Sequence, residues 1–269
     1  MSGLVFKIRD AVAGRLDLSS LVPHKLAGMD SLAINQIVIG KTREQLRVGD
    51  AFDISGTASD TLTFVGTTAA CDGIGSELEG GTLIIDGNAG AYAGREMKGG
   101  RLDIRGSTGD FLAAGLKGGL VTVKGSAGDF VGAVLTGAKN GMAGGTVVVE
   151  GDIGERAGDR MRRGTIITRG KTGASAGSRM LGGTIWAEGG LGPTPGPLLR
   201  RGTLIAPSVA RMTDTFADCG RHDLGILAIM SKHFTDTLGA LAPKPLPKMV
   251  RRFAGDLATA GKGEILLTA

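Results

Sequence analysis

Apolar residues recur along this chain with two spacings at once, an alternation inside short runs and a longer period between runs. Counted forward from Gly81, Gly100, Gly119, Gly145, Gly164, Gly183 and Gly202, the second position is aliphatic every time: Leu83, Leu102, Val121, Val147, Ile166, Ile185 and Leu204. The fourth position holds Ile85, Ile104, Val123 and Val149, then Thr168, Ala187 and Ala206, while the third is mixed: Ile84, Asp103, Thr122, Val148, Ile167, Trp186 and Ile205. Alternation of this kind predicts β-strands with their even positions turned inward. A second inward column stands three residues ahead of each framing glycine, at Leu78, Met97, Leu116, Met142, Met161, Met180 and Leu199. Flexible methionine fills irregular gaps between packed layers, so this stripe reads as core and not as a soft metal site.

The longer period sets the architecture. Subtracting successive framing glycines gives steps of 19, 19, 26, 19, 19 and 19 residues, one unit repeated with a single seven-residue insertion. A repeat near twenty residues predicts a solenoid, whose units bury their apolar edges only against their neighbours. The expected fold is all-β, a right-handed parallel β-helix with coils of about 19 residues, a short N-terminal lead-in and a C-terminal helical cap. Residues 1–45 form the lead-in, 46–206 the β-helix, and 207–269 the C-terminal cap and extension. Within the array, residues 46–56 and 62–66 resemble one or two irregular coils ahead of Gly81. Residues 224–230 (LGILAIM) suit a helix packed on the last coil, and residues 242–248 (APKPLPK) an extended segment. Glycines at the sixth position, Gly87, Gly106, Gly125, Gly151, Gly170 and Gly189, are expected to end each strand at a corner where positive φ is tolerated.

Composition narrows the functional classes. With 42% hydrophobic residues over 269 positions the chain can bury a sizeable core, and 48 glycines without a Gly-X-Y period argue against collagen. The N-terminal stretch carries Lys7, Arg9 and Asp10 and does not read as a signal peptide, and no apolar run approaches the roughly 20 residues of a membrane span. Cys71 and Cys219, far apart and outside any CxxC pair, read as buried small hydrophobes in a reduced, cytoplasmic setting. The net charge of +5 permits an acidic partner, but 31 basic residues are interspersed with 26 acidic ones and aromatics are 4%, which disfavours nucleic acid.

Two charged columns differ in kind. At the fifth position stand Asp86, Arg105, Lys124, Glu150, Arg169 and Glu188, so four of the five neighbouring pairs are opposite in sign and predict a register-fixing ladder. Beside the Met/Leu column lie Lys98, Lys117, Arg162 with Arg163, and Arg200 with Arg201, with Arg95, Arg160 and Arg179 near by. Stacking would align these as a basic seam, either solubilising charge or a surface for an anion or acidic partner. The insertion, residues 134–140 (VLTGAKN) with Lys139, emerges along the same edge, and inserted loops often carry recognition.

Motifs of catalysis dissolve into the repeat. Gly173-Ala-Ser-Ala-Gly177 matches the GxSxG nucleophile elbow, but Ser175 occupies the column of Tyr92, Phe111 and Phe130, and a short coil lacks the elbow's strand-turn-helix context. Gly40-Lys41-Thr42 and Gly170-Lys171-Thr172 match the end of a P-loop, yet Asn35 and Thr165 stand where its first glycine is required. His24, His222 and His233 show no metal-ligand spacing and read as surface or capping residues, while Glu77 and Glu79 share a face without a cleft. No catalytic residue and no metal ligand is expected, and a carbohydrate-active β-helix enzyme would need outward carboxylates clustered where here they alternate with bases.

The segments 94–106 (GREMKGGRLDIRG) and 177–189 (GSRMLGGTIWAEG) share a pattern that resembles the GXGXG β-helix domain at the C-terminus of the glutamate synthase large subunit. Adding Gly49-Asp50-Ala51-Phe52, the run Gly141-Met142-Ala143-Gly144-Gly145, Gly255-Asp256 and Gly261-Lys262-Gly263, the whole chain is similar to the C component of the formylmethanofuran dehydrogenase family. Its Arg- and Ala-rich sequence looks more like the bacterial formyltransferase/hydrolase complex than the archaeal dehydrogenase. The resemblance implies a non-catalytic scaffold in a hetero-oligomer with formyltransferase, amidohydrolase-like and B-component-like chains. Such a complex uses tetrahydromethanopterin, methanofuran or an analogue, and a metal centre in a partner, none of them bound by this chain alone. Because methanofuran-type carriers have a glutamate-rich tail, Lys98, Lys117, Lys139, Arg162 and Arg163 become candidates for meeting that tail or an acidic partner.

Overall fold

The structure, a computed structural model, describes residues 3–9, 14–40, 45–57 and 59–269. In chain order it begins with β1 (Leu4–Ile8), β2 (Leu16–Asp17), the short helices α1 (Pro23–Leu26), α2 (Ser31–Asn35) and α3 (Val48–Ala51), then β3 (Phe52–Ser55), β4 (Thr61–Val65) and β5 (Cys71–Asp72). The regular array follows with one strand per repeat: β6 (Thr82–Asp86), β7 (Arg101–Ile104), β8 (Leu120–Val123), β9 (Ala143–Val149), β10 (Arg163–Thr168), β11 (Thr184–Ala187) and β12 (Arg201–Ala206). Beyond it lie β13 (Ala217–Asp223), α4 (Ile226–Leu238), β14 (Met249–Gly255) and β15 (Lys262–Leu267). Thirteen strands join one open, mixed sheet in the order β13-β14-β15-β12-β11-β10-β9-β8-β7-β6-β4-β1-β3, and β2 pairs separately with β5.

From β4 to β12 every neighbouring pair is parallel and, apart from a bulge at the start of β10, keeps the register of the glycine frame, so Leu83, Leu102 and Val121 stand side by side. The longer step leaves that register intact, with Val121 opposite Val147, because the additional residues depart at the corner before β9. Second-position side chains and the whole Met/Leu column are fully buried. Each such side chain contributes about 1.5–3 kcal/mol of burial. A further column of parallel bridges joins Ala89, Thr108, Ala127, Ile153 and Thr172 in successive units.

The two glycine columns do different jobs. The framing glycines carry the positive φ, for example 77° at Gly100 and 115° at Gly202, whereas at the sixth position only Gly87 does. Space, and not the left-handed conformation, is what the sixth position requires. A Cβ on Gly106 would sit 2.3 Å from Asn88 Oδ1 and 2.4 Å from the Gly87 carbonyl oxygen. Asn88 Oδ1 lies there because it accepts the Ser107 N–H at 2.8 Å; Ser107 Oγ in turn accepts from Ser126 N–H, and Ser126 Oγ from Asp152 N–H. The bare glycine makes room for a side chain that ties one unit to the next.

Both ends depart from the expected plan. Residues 62–66 do begin a repeat, since Leu62 pairs beside Leu83, but β1 inserts next to β4 and residues 46–56 add no parallel coil. They form α3 and then β3, which runs antiparallel to β1 at the sheet edge. Phe6, Phe52 and Phe64 meet there, with Phe6 and Phe64 stacked at 4.8 Å, and seal that end. At the other end the predicted helix forms as α4, yet it lies along the sheet's outward face. Leu227 and Phe234 cover Val148, Ile167, Trp186 and Ile205 across four units. Third positions are polar at Asp103 and Thr122 but apolar in these four, so this stretch of the face needs a cover. The frame itself resumes in β15, where Gly263 stands opposite Gly202 and Ile265 opposite Leu204. Antiparallel β14 and β13 then complete the edge.

Candidate functional site

All four opposite-sign pairs of the outward ladder form: Asp86–Arg105 at 3.3 Å, Lys124–Glu150 at 3.8 Å, and Arg169 with Glu150 at 3.7 Å and Glu188 at 3.0 Å. Arg169 also donates to the carbonyls of Leu241 and Ala242, each at 2.9 Å, fastening the segment after α4.

The basic seam is less open than its residues suggest. Lys98 donates to Glu79 at 2.8 Å and Lys117 to Glu96 at 3.3 Å, both carboxylates coming from the preceding unit. That hydrogen bond and the Lys98 charge hold the Glu79 carboxyl below its ordinary pKa, and the same bond with the Glu79 charge raises that of Lys98. Glu79 occupies the same column as Lys98 and Lys117 one repeat earlier, and Glu96 lies two positions off that column, so stacking brings both acids over the lysines. Arg162 and Arg163 are exposed.

Uncompensated charge gathers farther along the edge. Lys139, Arg160, Arg179 and Arg200, with Leu181, Leu198 and Thr259, line a cavity of about 340 Å³. Arg179 is committed to buried Asp159, its Nε donating at 2.9 Å, and that hydrogen bond raises its pKa. Lys139, Arg160 and Arg200 make no ion pair among the described residues. The Arg160 and Arg179 backbones both sit at φ 53°, held by N–H bonds to the carbonyls of Ser178 and Pro197 in the next unit. Three cations held around one cavity repel one another, and an entering carboxylate or phosphate relieves that while offering acceptors to the guanidinium forks. Of the residues anticipated as a site, Lys139 lies in this cavity, while Lys117 and Lys139 share a neighbouring one of about 220 Å³ with Glu96 and Leu135. Lys98, Arg162 and Arg163 join neither. Thr259 arrives from the 3₁₀ turn Leu257–Thr259, and nothing local in the sequence signals its presence.

Next to the insertion the corner is aromatic. Tyr92, Phe111 and Phe130 stack with centroids 5.0 and 4.9 Å apart, and the Arg156 guanidinium lies 5.6 Å over the last ring. The three rings sit at φ 61°, 61° and 63°, left-handed backbone that costs a bulky residue on the order of 1–3 kcal/mol. Stacking returns about 0.5–1.5 kcal/mol for each of the two pairs, so it does not outweigh the strain. Ser175 and Thr194 occupy the same corner in later units at φ 58° and 52°, so the backbone there does not demand a ring.

The catalytic lookalikes stay separate. Ser175 Oγ has Thr194 Oγ1 at 3.5 Å as its side-chain neighbour, and Lys171 offers its N–H to Asp152 Oδ1 at 2.7 Å as part of the repeat ladder. Lys41 and Thr42 lie outside the described residues. Glu77 pairs with Lys25 at 3.1 Å, so it and Glu79 face different cations. Cys71 is buried, which pushes its thiol pKa up, but Cys219 is exposed because β13 is the edge strand. His24 and His233 are exposed, and His222 Nε2 lies 2.8 Å from the Cys219 carbonyl. Among the described residues no three His, Cys, Asp or Glu gather as a metal site, and no helix is long and apolar enough to cross a membrane.

No family model matches the chain. Over 84 residues it is 39% identical to the C component of the formyltransferase/hydrolase complex Fhc of Methylorubrum extorquens; this match spans 31% of the chain and about a third, 32%, of that curated relative. The crystal structure of the formyltransferase/hydrolase complex FhcABCD from Methylorubrum extorquens in complex with methylofuran includes a chain similar over nearly its whole length. The match covers 98% of this chain and 99% of that one at 38% identity, with a TM-score of 0.93.

Proposed function

The chain belongs to the family of the C component of formyltransferase/hydrolase complexes, and from that premise we propose that it is a non-catalytic, structural subunit of such a complex. The observation that carries this is the match, end to end, with a chain of a multi-subunit assembly at a TM-score of 0.93. In this reading the assembly transfers a formyl group from tetrahydromethanopterin to methanofuran or an analogue and hydrolyses the product to formate. Formyltransferase, amidohydrolase-like and B-component-like partners, in the cytoplasm, supply the carriers' reactive sites and the metal centre. The in-register parallel strands and the second column of bridges support reading the array from β4 onward, within the span 46–206, as a right-handed parallel β-helix. Residues 1–45 and 207–269 close its ends.

A scaffold is the role that this chain's chemistry fits. Its outward acids are engaged by cations along the ladder, and the apparent nucleophile Ser175 faces another hydroxyl. The basic cavity of Lys139, Arg160 and Arg200 suits the glutamate-rich tail of a methanofuran-type carrier or an acidic stretch of a partner. Native mass spectrometry of the untagged protein from its own cells tests the reading. A hetero-oligomer carrying formyltransferase and amidohydrolase-like chains is expected, and a free chain overturns it. The purified chain alone is expected to leave formyl-tetrahydromethanopterin and formyl-methanofuran unchanged; turnover by the chain alone overturns the non-catalytic role.

A further inference from the structure

The aromatic corner and the insertion face each other. Leu135 and Thr136 stand across from Tyr92 and Phe111 over a cavity of about 340 Å³ completed by Arg95 and Glu96. Tyr92 is 37% exposed and Phe111 is only half-buried, so two strained rings of the stack present apolar surface to this space. The rings occupy three successive units that lead up to the insertion; beyond it the same corner turns to Arg156, Ser175 and Thr194. Arg95 places a buried Nε beside the cavity with no hydrogen-bond acceptor among the described residues, while the charge of Glu96 is already met by Lys117. Glu96 and Leu135 also line the adjoining cavity that holds Lys139, and Lys139 lines the basic cavity beyond it. The three spaces thus form one groove along the stacking direction, apolar at one end, cationic at the other, with the insertion as its wall.

We propose that this groove docks an extended, acidic segment of a partner subunit, with an apolar side chain of that segment seated between Phe111 and Leu135 and its carboxylates directed to Arg95 and Lys139. The proposal rests on the reading of the chain as a member of a hetero-oligomer. Its occupant follows from charge complementarity: the Arg95 Nε and Lys139, which have no hydrogen-bond or ion-pair partner among the described residues, border the groove, and its acid is spoken for. Stacked rings offer rigid apolar area at little entropic cost, the property that enriches them at protein interfaces.

The test uses the assembled complex. Asn tolerates left-handed backbone, so the double variant Tyr92→Asn, Phe111→Asn is expected to leave the melting temperature of the full chain unchanged or higher. Its affinity for the partner subunits, titrated by native mass spectrometry, is expected to fall tenfold or more. Should that variant fail to fold, Leu135→Asp in the insertion is expected to give the same loss. A photocrosslinker at Thr136 is expected to mark an acidic stretch of a partner. Assembly at wild-type affinity by a folded variant, or crosslinks to a second copy of this chain, overturns the docking site alone. Absence of any partner from the wild-type protein overturns the scaffold reading and the docking site with it.

Discussion

Gly106 illustrates how a residue's reason can lie outside its own unit. Its column is visible in the sequence, but the cause is Asn88 Oδ1 reaching over from the preceding repeat, a contact that no local pattern records. Gly106→Ala is expected to destabilise by about 2–3 kcal/mol through overpacking against fixed backbone, whereas Gly80→Ala, with nothing within 4 Å of a new Cβ, stays within roughly 0.5 kcal/mol. Urea midpoints separate the two. Asp256 offers a second residue-scale test. Burial alone would raise its pKa, but hydrogen bonds, including the Leu198 and Ala258 N–H groups at 2.8 Å each, outweigh burial and lower it. A folded-state pKa below the unfolded one contributes stability that is complete above the unfolded value, near 3.9, and is lost as pH falls through the folded value. The stability gap between wild type and Asp256→Asn, from denaturation at stepped pH, is therefore expected to be constant at neutral pH and to close below about pH 4. A gap that widens on acidification contradicts this. Cys219 shows the opposite limit of legibility, because only the strand order reveals that its strand lies at an edge.

At the scale of elements, alternation and period identified the array strands and their inward faces, since each is defined by contacts with an identical neighbour one repeat away. They misplaced α4, although the signal was present: apolar third positions at Val148, Ile167, Trp186 and Ile205 mark the stretch of outward face that must be covered. Phe234, whose ring lies 5.8 Å from Trp186, anchors that cover. Phe234→Ala is expected to cost about 3 kcal/mol and to raise binding of an apolar dye to the uncovered face, both measurable on the purified chain. Arg169 joins the charge ladder to the segment behind α4, being bonded to two acids and two carbonyls. Arg169→Glu sets three acids in a row and leaves those carbonyls without their donor. A loss of melting temperature that is partly recovered in high salt is expected, since screening removes the repulsion but not the missing hydrogen bonds. β15 escaped notice because its frame, Gly263 and Ile265, returns 61 residues after its partner in β12.

For the whole molecule, the candidate site was legible only as a direction. The sequence pointed to a basic edge beside the insertion, but the pairing of Lys98 and Lys117 with acids, and the concentration of open charge at Lys139, Arg160 and Arg200, depend on how units stack and where a distant turn returns. Lys139→Glu combined with Arg200→Glu is expected to weaken binding of a glutamate oligomer to the full chain tenfold or more, about 1.4 kcal/mol or above. Calorimetry at two salt concentrations checks both the loss and its electrostatic origin, and equal affinity for both proteins refutes the cavity's role. The late return of β15 also bears on how the protein is made. As the polypeptide leaves the ribosome, β12 presents a bare parallel edge until the strand 61 residues downstream emerges. At about 5–20 residues per second, that interval lasts roughly 3–12 s. A chain stalled or clipped within that window would carry an unpaired parallel rim, open to pairing with another chain, until β15 covers it.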